Sequence, residues 1–308
     1  MLKTDGKSVT IQYHMTPEEK EYLKNYNISD FERPSIATDV VVFSVTKEDV
    51  KDTRQLPIGK LQVLLINRAA YPYKDYWALP GGFCQKDEEV YETARRELYE
   101  ETNIKDAYLN LSGIYGDVGR DPRGWIISHA FLALVDGSKC SLRADTDAWE
   151  AKWFDIDVRK EIVEKTCCKD TVEIKCIYYL KLECGHIVLS AEVEEHRKYE
   201  NYHEKVTDTI LKSEGIAFDH AKIIINAFRD LQAHAEHDEK IVFDLMPEQF
   251  TLTELQKIFE VILQKELLKA NFRRKIADYV IETEDVETGR RYRTAKQFRR
   301  NVKKFYEI

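Results

Sequence analysis

Five charged residues and a glycine stand at a spacing that could do chemistry: Gly82, Glu88, Arg96, Glu97, Glu100 and Glu101. Tyr91, Ala94 and Leu98 recur at three- and four-residue intervals, so the spacing predicts a helix over 91–102. At about 100° per residue, Glu97, Glu100 and Glu101 then share an arc of roughly 100°. Three carboxylates on one helical face repel one another unless a cation lies between them. Hard oxygen ligands of this kind suit Mg²⁺ or Mn²⁺, which keep several waters and bridge to substrate phosphates. The competing reading is a solvated acidic face held by Arg–Glu pairs.

The stretch Gly82–Ile104 resembles the Nudix box, the signature of the Nudix hydrolases. Gly82, Glu88, Arg96, Glu97, Leu98, Glu100, Glu101 and Ile104 match it, and Asn103 stands where that family has Gly. That position ends the helix in a left-handed conformation, for which Asn is the next choice after Gly. The resemblance implies metal-dependent cleavage of a nucleoside diphosphate joined to a further moiety. It makes Glu97, Glu100 and Glu101 the metal ligands, with Glu100 and Glu101 foremost. Arg96 would orient a glutamate by ion pairing, and Glu88 would support the loop or the metal shell.

The chain has 308 residues, which suggests two domains. It contains no run of 18 apolar residues, so no transmembrane helix and no membrane partner are expected. Six scattered cysteines form no CxxC pair, as in a cytoplasmic protein with reduced thiols. Cys184, His186, Cys167 and Cys168 do not have zinc-cluster spacing. Charge is uneven. Residues 261–308 carry 13 Lys/Arg against 7 Asp/Glu within a chain of net charge −8, leaving −14 on residues 1–260. An acidic body with a basic tail points to two kinds of partner.

Thr16-Pro17-Glu18-Glu19 is a capping box that opens a short helix. Strands are expected at 36–45, 61–66, 108–116, 125–135 and 149–156, with a hairpin over 171–189 that turns at Cys184-Gly185. Gly81 and Gly82 allow the backbone close to a ligand. Gly119–Gly124 is a turn whose Arg120 and Arg123 offer a forked grip on substrate phosphates, or else pair with Asp121 or a neighbouring carboxylate. Arg68 is a further candidate for the phosphates. Residues 192–213 are highly charged and read as a connector.

From Phe218 the pattern is helical, with Ala221, Ile224, Ile225, Phe228 and Leu231 in one stripe; His220, His234 and His237 read as structural or capping. Ile241–Leu245 reads as a short strand. Thr251 opens a capped helix, and a second helix buries Phe272, Ile276 and Val280 while projecting Arg273, Arg274 and Lys275. A hairpin tip near Gly289 carries Arg290, Arg291 and Arg293. Helix, turn, basic helix and basic hairpin suggest a winged helix-turn-helix that binds double-stranded DNA; the alternative is a small dimerisation domain with a basic solvated face.

Over nearly its full length the chain is similar to the Nudix-related transcriptional regulators of NAD metabolism and their ADP-ribose pyrophosphatase-like relatives. The matching stretches are Tyr76–Gly82, Gly119–Gly124, Ala217–His220 and Phe250–Lys275, with Asn271, Arg273, Arg274 and Lys275 in the DNA-contacting position. The wing departs from the pattern, since Gly289-Arg290-Arg291 is not followed by Pro. The resemblance implies an α+β fold: a Nudix α/β/α sandwich with a mixed sheet over 1–214, then a helical linker plus winged helix over 215–308. It also implies a cytoplasmic homodimer that takes ADP-ribose or a related nucleotide. Two functions follow from different classes, a hydrolase of that nucleotide and a regulator that senses it with little or no turnover. In the hydrolase reading, Glu101→Gln abolishes phosphate release from ADP-ribose in a phosphatase-coupled assay while circular dichroism stays unchanged. Turnover by that variant would remove Glu101 from the ligand set.

Overall fold

A computed structural model describes residues 15–46, 59–105, 107–137, 140, 150–287 and 295–306. Two compact units are present, one ending at Pro34 and one spanning Ser35–Ile308. In the first, helix α1 (Pro17–Asn25) starts at the expected capping box. The Thr16 N–H donates to Glu19 Oε2 at 2.7 Å and the Glu19 N–H to Thr16 Oγ1 at 3.2 Å.

The second unit is built on a mixed ten-stranded sheet. Its strands are β1 (Ser35–Val45), β2 (Leu61–Asn67), β3 (Trp77–Ala78), β4 (Gly81–Phe83), β5 (Tyr108–Tyr115), β6 (Ile126–Leu134), β7 (Ala151–Cys168), β8 (Thr171–Cys184), β9 (Ile187–Glu200) and β10 (His203–Glu214). The order is β10-β9-β8-β7-β2-β1-β6-β5, with β3 on β2 and β4 on β1. Strands β1 and β6 run parallel; the remaining pairs are antiparallel.

The two-residue period of a strand sends alternate side chains to opposite faces. Val40 and Val42 therefore join one core with Ala94 and Leu98 of α2 (Val90–Thr102), and Val41 and Phe43 join another with Ala221, Ile224 and Phe228 of α3 (His220–His237). Central strands buried on both faces read as near-continuous apolar runs. This gives the expected α/β/α layering. The α3 core continues without a break into Phe243, Phe250, Phe259, Phe272 and Ile276 of the C-terminal part. There α4 (Leu252–Leu263) and α5 (Lys269–Ile276) precede a hairpin of β11 (Val280–Glu287) and β12 (Ala295–Arg300). Among the described residues no helix is long and apolar enough to cross a membrane.

Three expectations are corrected. The connector over 192–213 is the second half of β9 and all of β10, joined through Asn201 and Tyr202, both at positive φ (48° and 66°) as a tight hairpin turn requires. The strand signal is masked because Glu195 occupies an inward slot in series with Leu189, Ala191 and Val193. Ile241–Leu245 lies in a 3-10 helix (Glu239–Leu245) rather than a strand, and Ile241, Val242 and Phe243 are buried in succession, without alternation. Val280 is half-buried and opens β11 rather than closing a helix.

Glu195 is 0% exposed. Arg197 grips it with Nε at 2.7 Å and Nη2 at 2.9 Å, and Arg229 Nη1 of α3 reaches it at 2.5 Å. Burial alone would raise this carboxyl. The two guanidiniums outweigh it and hold the group below the ordinary glutamate range. A carboxyl depressed in the fold stabilises it above its unfolded value, about 4.3, and loses that contribution as pH falls through the lower folded value. Glu195→Gln removes the charge shared by Arg197 and Arg229, which keep Glu204 and the Asn226 carboxamide as partners, and is expected to cost about 1–3 kcal/mol at pH 7. In urea titrations the gap to the unmodified protein should close as pH drops below about 4; a gap independent of pH would contradict the assignment.

Candidate functional site

Helix α2 begins within one residue of its expected start and ends where Asn103 takes φ 66°, its N–H donating to Tyr99 O at 2.8 Å. Arg96 is the hub of its acidic face. Its Nε donates to Glu88 Oε1 at 2.7 Å and its Nη2 to Glu88 Oε2 at 2.9 Å. Its Nη1 donates to Glu97 Oε1 at 2.7 Å and to Glu100 Oε2 at 3.3 Å, and its Nη2 also reaches the Phe83 carbonyl at 3.3 Å. Glu88 is fixed further by the Thr93 hydroxyl at 2.8 Å, and Arg96 beside it holds its carboxyl down at about 2. Glu88 thus ties the loop after β4 to the helix.

The segment Trp77–Gly82 brings backbone against this face. Gly81 N–H donates to Glu101 Oε2 at 2.8 Å. A Cβ at Gly81 would collide with the Thr38 carbonyl, so close approach demands glycine there; one at Gly82 would meet the Glu97 carboxylate and oblige that side chain to move. Burial pushes the Glu101 carboxyl up to about 8; the Gly81 amide opposes this, while Glu97 and Asp39 add to it and Arg68 subtracts. Glu101 and Glu97 of α2 therefore meet Gly81 and Gly82 in turn.

Near Glu101 lies an aromatic and cationic cluster. Phe218, at φ 52°, sets its ring 4.7 Å from that of Tyr73, with the Arg68 guanidinium at 4.8 Å and that of Arg123 at 5.3 Å. Arg123 also lies 5.0 Å from the Phe83 ring and pairs with Asp121 at 2.7 Å. Arg68 is half-buried, its Nε on the Pro72 carbonyl at 2.9 Å. Burial and then the nearby Arg123 lower its pKa. Two guanidiniums this close favour a shared anion. A non-glycine residue at positive φ is held there by its surroundings, here by the ring contacts.

Arg120 is spent differently. Its guanidinium side chain, 5% exposed, makes two bonds to Asp219 at 2.9 and 2.6 Å and lies 3.5 Å from Asp39. Asp39 also accepts from the Ser128 hydroxyl at 2.5 Å and lies 3.3 Å from His220 Nε2. Burial would raise its carboxyl; His220, Ser128 and Arg120 hold it at about 2. The sequence named Arg120 but not Asp39, Asp219 or Phe218, whose partners come from other parts of the chain. The stretch Ala217–His220 was the one pointer to them.

On the C-terminal part, Asn271, Arg273, Arg274 and Lys275 are all exposed on α5, while Phe272 and Ile276 face the core. Arg274 Nη2 donates to Asn271 Oδ1 at 3.3 Å, and Lys275 Nζ to the Glu236 carbonyl of α3 at 3.0 Å. Arg290, Arg291 and Arg293 lie outside the described residues.

Residues 38–164 match the NUDIX domain and residues 242–300 the NrtR DNA-binding winged helix domain. An ADPR responsive transcriptional repressor, NtrR, of Acinetobacter baylyi is 30% identical over 270 residues, covering 87% of this chain and 82% of that protein. The chain belongs to the family of Nudix proteins that carry an NrtR winged helix. An ADP-ribose pyrophosphatase of Methanocaldococcus jannaschii is 36% identical over 45% of this chain and 70% of its own length. In fold, the chain is similar to a MutT/nudix family protein from Enterococcus faecalis (TM-score 0.62, 24% identity, 94% of this chain and 100% of that one). It is likewise similar to NrtR of Shewanella oneidensis crystallised with a 27mer DNA (TM-score 0.57, 24% identity, 87% and 94%).

Nudix hydrolases as a class use divalent metals. Among the described residues no three ligating side chains converge at metal-binding spacing, and Arg96 pairs with Glu88, Glu97 and Glu100. The donor chemistry nevertheless fits a hard cation: Glu101 is buried beside Glu97 and Asp39, and their mutual repulsion is what a divalent ion relieves.

For Arg120 the geometry predicts a structural effect. Arg120→Leu takes the guanidinium from buried Asp219 and leaves Asp39 to Ser128 and His220, and should cost about 3–5 kcal/mol in urea denaturation. Loss of nucleotide affinity at unchanged stability would instead make it a phosphate clamp.

Proposed function

We propose that this chain is an ADP-ribose-responsive DNA-binding regulator, with 1–214 and the residues that lead into α3 as the nucleotide-binding part and the rest of 215–308 as the linker and DNA-binding part. The observation that carries the reading is the placement of Arg68 and Arg123 around Phe218, next to Glu101, in a chain that also presents an exposed basic helix on a winged-helix domain. The full-length similarity to an ADPR responsive repressor supports it.

In this reading the diphosphate of ADP-ribose, or of a related nucleoside diphosphate derivative, lies against Arg68 and Arg123. Guanidinium forks grip phosphate oxygens in pairs, and the rings of Phe218 and Tyr73 offer stacking surfaces. Gly82 lets the ligand approach the main chain. Asn271, Arg273, Arg274 and Lys275, with Arg290 and Arg291 of the wing, contact double-stranded DNA. A cytoplasmic homodimer supplies two such surfaces to a two-fold site.

A second reading, hydrolysis, is favoured by the complete set of box carboxylates and by the similarity to an ADP-ribose pyrophosphatase. When bound, Mg²⁺ or Mn²⁺ on Glu97, Glu100 and Glu101 would cancel phosphate charge and acidify the attacking water. Arg96 keeps two of these carboxylates in place, and the Gly81 amide aims the third. Water adds to one phosphorus and the other phosphate leaves, giving AMP and ribose 5-phosphate.

Calorimetry with ADP-ribose tests the pocket. Arg123→Ala is expected to weaken binding by about tenfold, the worth of one charge-assisted contact, and Arg274→Ala to leave it unchanged while weakening affinity for duplex DNA. Equal affinity of Arg123→Ala and unmodified protein would overturn the pocket assignment.

A further inference from the structure

The segment Trp77–Gly82, which places the Gly81 amide on Glu101, is held on its far side by the residues that lead into α3. Trp77 N–H donates to Gly215 O at 2.9 Å, and Ala217 N–H to Trp77 O at 2.8 Å. The chain then turns at Phe218, and His220 Nδ1 accepts the Leu79 N–H at 2.9 Å. An accepting Nδ1 places the imidazole proton on Nε2, which faces Asp39 Oδ1 at 3.3 Å. His220 is 4% exposed and Leu79 2% exposed. A buried amide with no acceptor is costly, so this bond is one of those that fix where the segment can sit.

We propose that His220 is a positioning residue of the nucleotide site. It acts through the Leu79 amide and Asp39, setting the height of Gly81 and Gly82 against Glu101 and Glu97. The nucleotide site therefore extends beyond the matched Nudix region, 38–164, and is completed by the first turn of α3. The same helix runs for 18 residues to His237 and carries Gln232 and Glu236 near that end. Gln232 Nε2 donates to the Ile262 carbonyl of α4 at 2.9 Å, and the Glu236 carbonyl receives Lys275 of α5. One rigid element thus touches the glycine loop at one end and the DNA-facing helix at the other. The placement of His220 rests on no functional reading, but its consequence for nucleotide use rests on the proposed function above.

The test compares the full-length protein with His220→Leu and His220→Gln. Leucine removes both polar contacts at similar volume; the glutamine carboxamide can still accept from Leu79 and donate to Asp39. Hydrogen exchange by mass spectrometry over Leu79–Phe83 is expected to speed up by about tenfold or more in His220→Leu, with peptides of α4 and α5 unchanged and duplex-DNA affinity without nucleotide retained. Glutamine should restore protection. In the ADP-ribose assay His220→Leu should lower kcat by about tenfold to a hundredfold with KM moved less; if the protein binds without turnover, its ADP-ribose affinity should fall instead. Unchanged exchange over Leu79–Phe83, or uniform loss of protection throughout the fold that glutamine does not reverse, would overturn the proposal. If the unmodified protein neither binds nor cleaves ADP-ribose, the proposed function fails, and the exchange comparison still decides the role of His220.

Discussion

The backbone of Trp77–Gly82 must satisfy its polar groups while passing through a crowded interior, and most of the candidate site follows from how it does so. Three elements share the task. Strand β1 supplies Val40, whose N–H donates to the Pro80 carbonyl at 2.8 Å. Helix α2 supplies the Glu101 carboxylate to the Gly81 amide, and α3 supplies the His220 imidazole to the Leu79 amide. A buried main-chain group without a partner costs as much as a lost hydrogen bond, so none of these contacts is optional. The absence of side chains at Gly81 and Gly82 lets β1 and α2 close on the segment from both sides.

Charge is the second constraint. The acidic face of α2 is tolerated because Arg96 neutralises Glu88, Glu97 and Glu100 together. Glu101 is left to the Gly81 amide and to burial. A second cluster of Asp39, Asp219, Arg120 and His220 is buried. Arg68 and Arg123 have their guanidiniums beside the ring of Phe218. The arrangement separates charges that build the fold from charges that can meet an anion.

Much of this was legible in the sequence. The spacing of 82–104 pointed to the helix and its left-handed end at Asn103, because both are local. The stripe from Ala221 to Leu231 and the capping boxes at Thr16 and Thr251 were equally local. What escaped was non-local. Glu195 reads as a solvated charge until Arg229, 34 positions onward, is known to lie against it. Arg120 and Arg123 look alike in one turn, yet one is buried on Asp219, 99 residues away, and the other stays exposed on its neighbour Asp121. His220 was read as structural, and its contact with Leu79, 141 residues earlier, is what gives that word content.

The central claim is that a nucleotide bound beside α2 is felt by duplex DNA bound at α5. The most direct measurement selects duplex sequences from a random pool with the full-length protein, then titrates the best of them by fluorescence anisotropy with and without ADP-ribose. The account predicts that ADP-ribose shifts DNA affinity by about 5- to 150-fold, the span of ordinary allosteric coupling. Identical affinities at saturating ADP-ribose would contradict it.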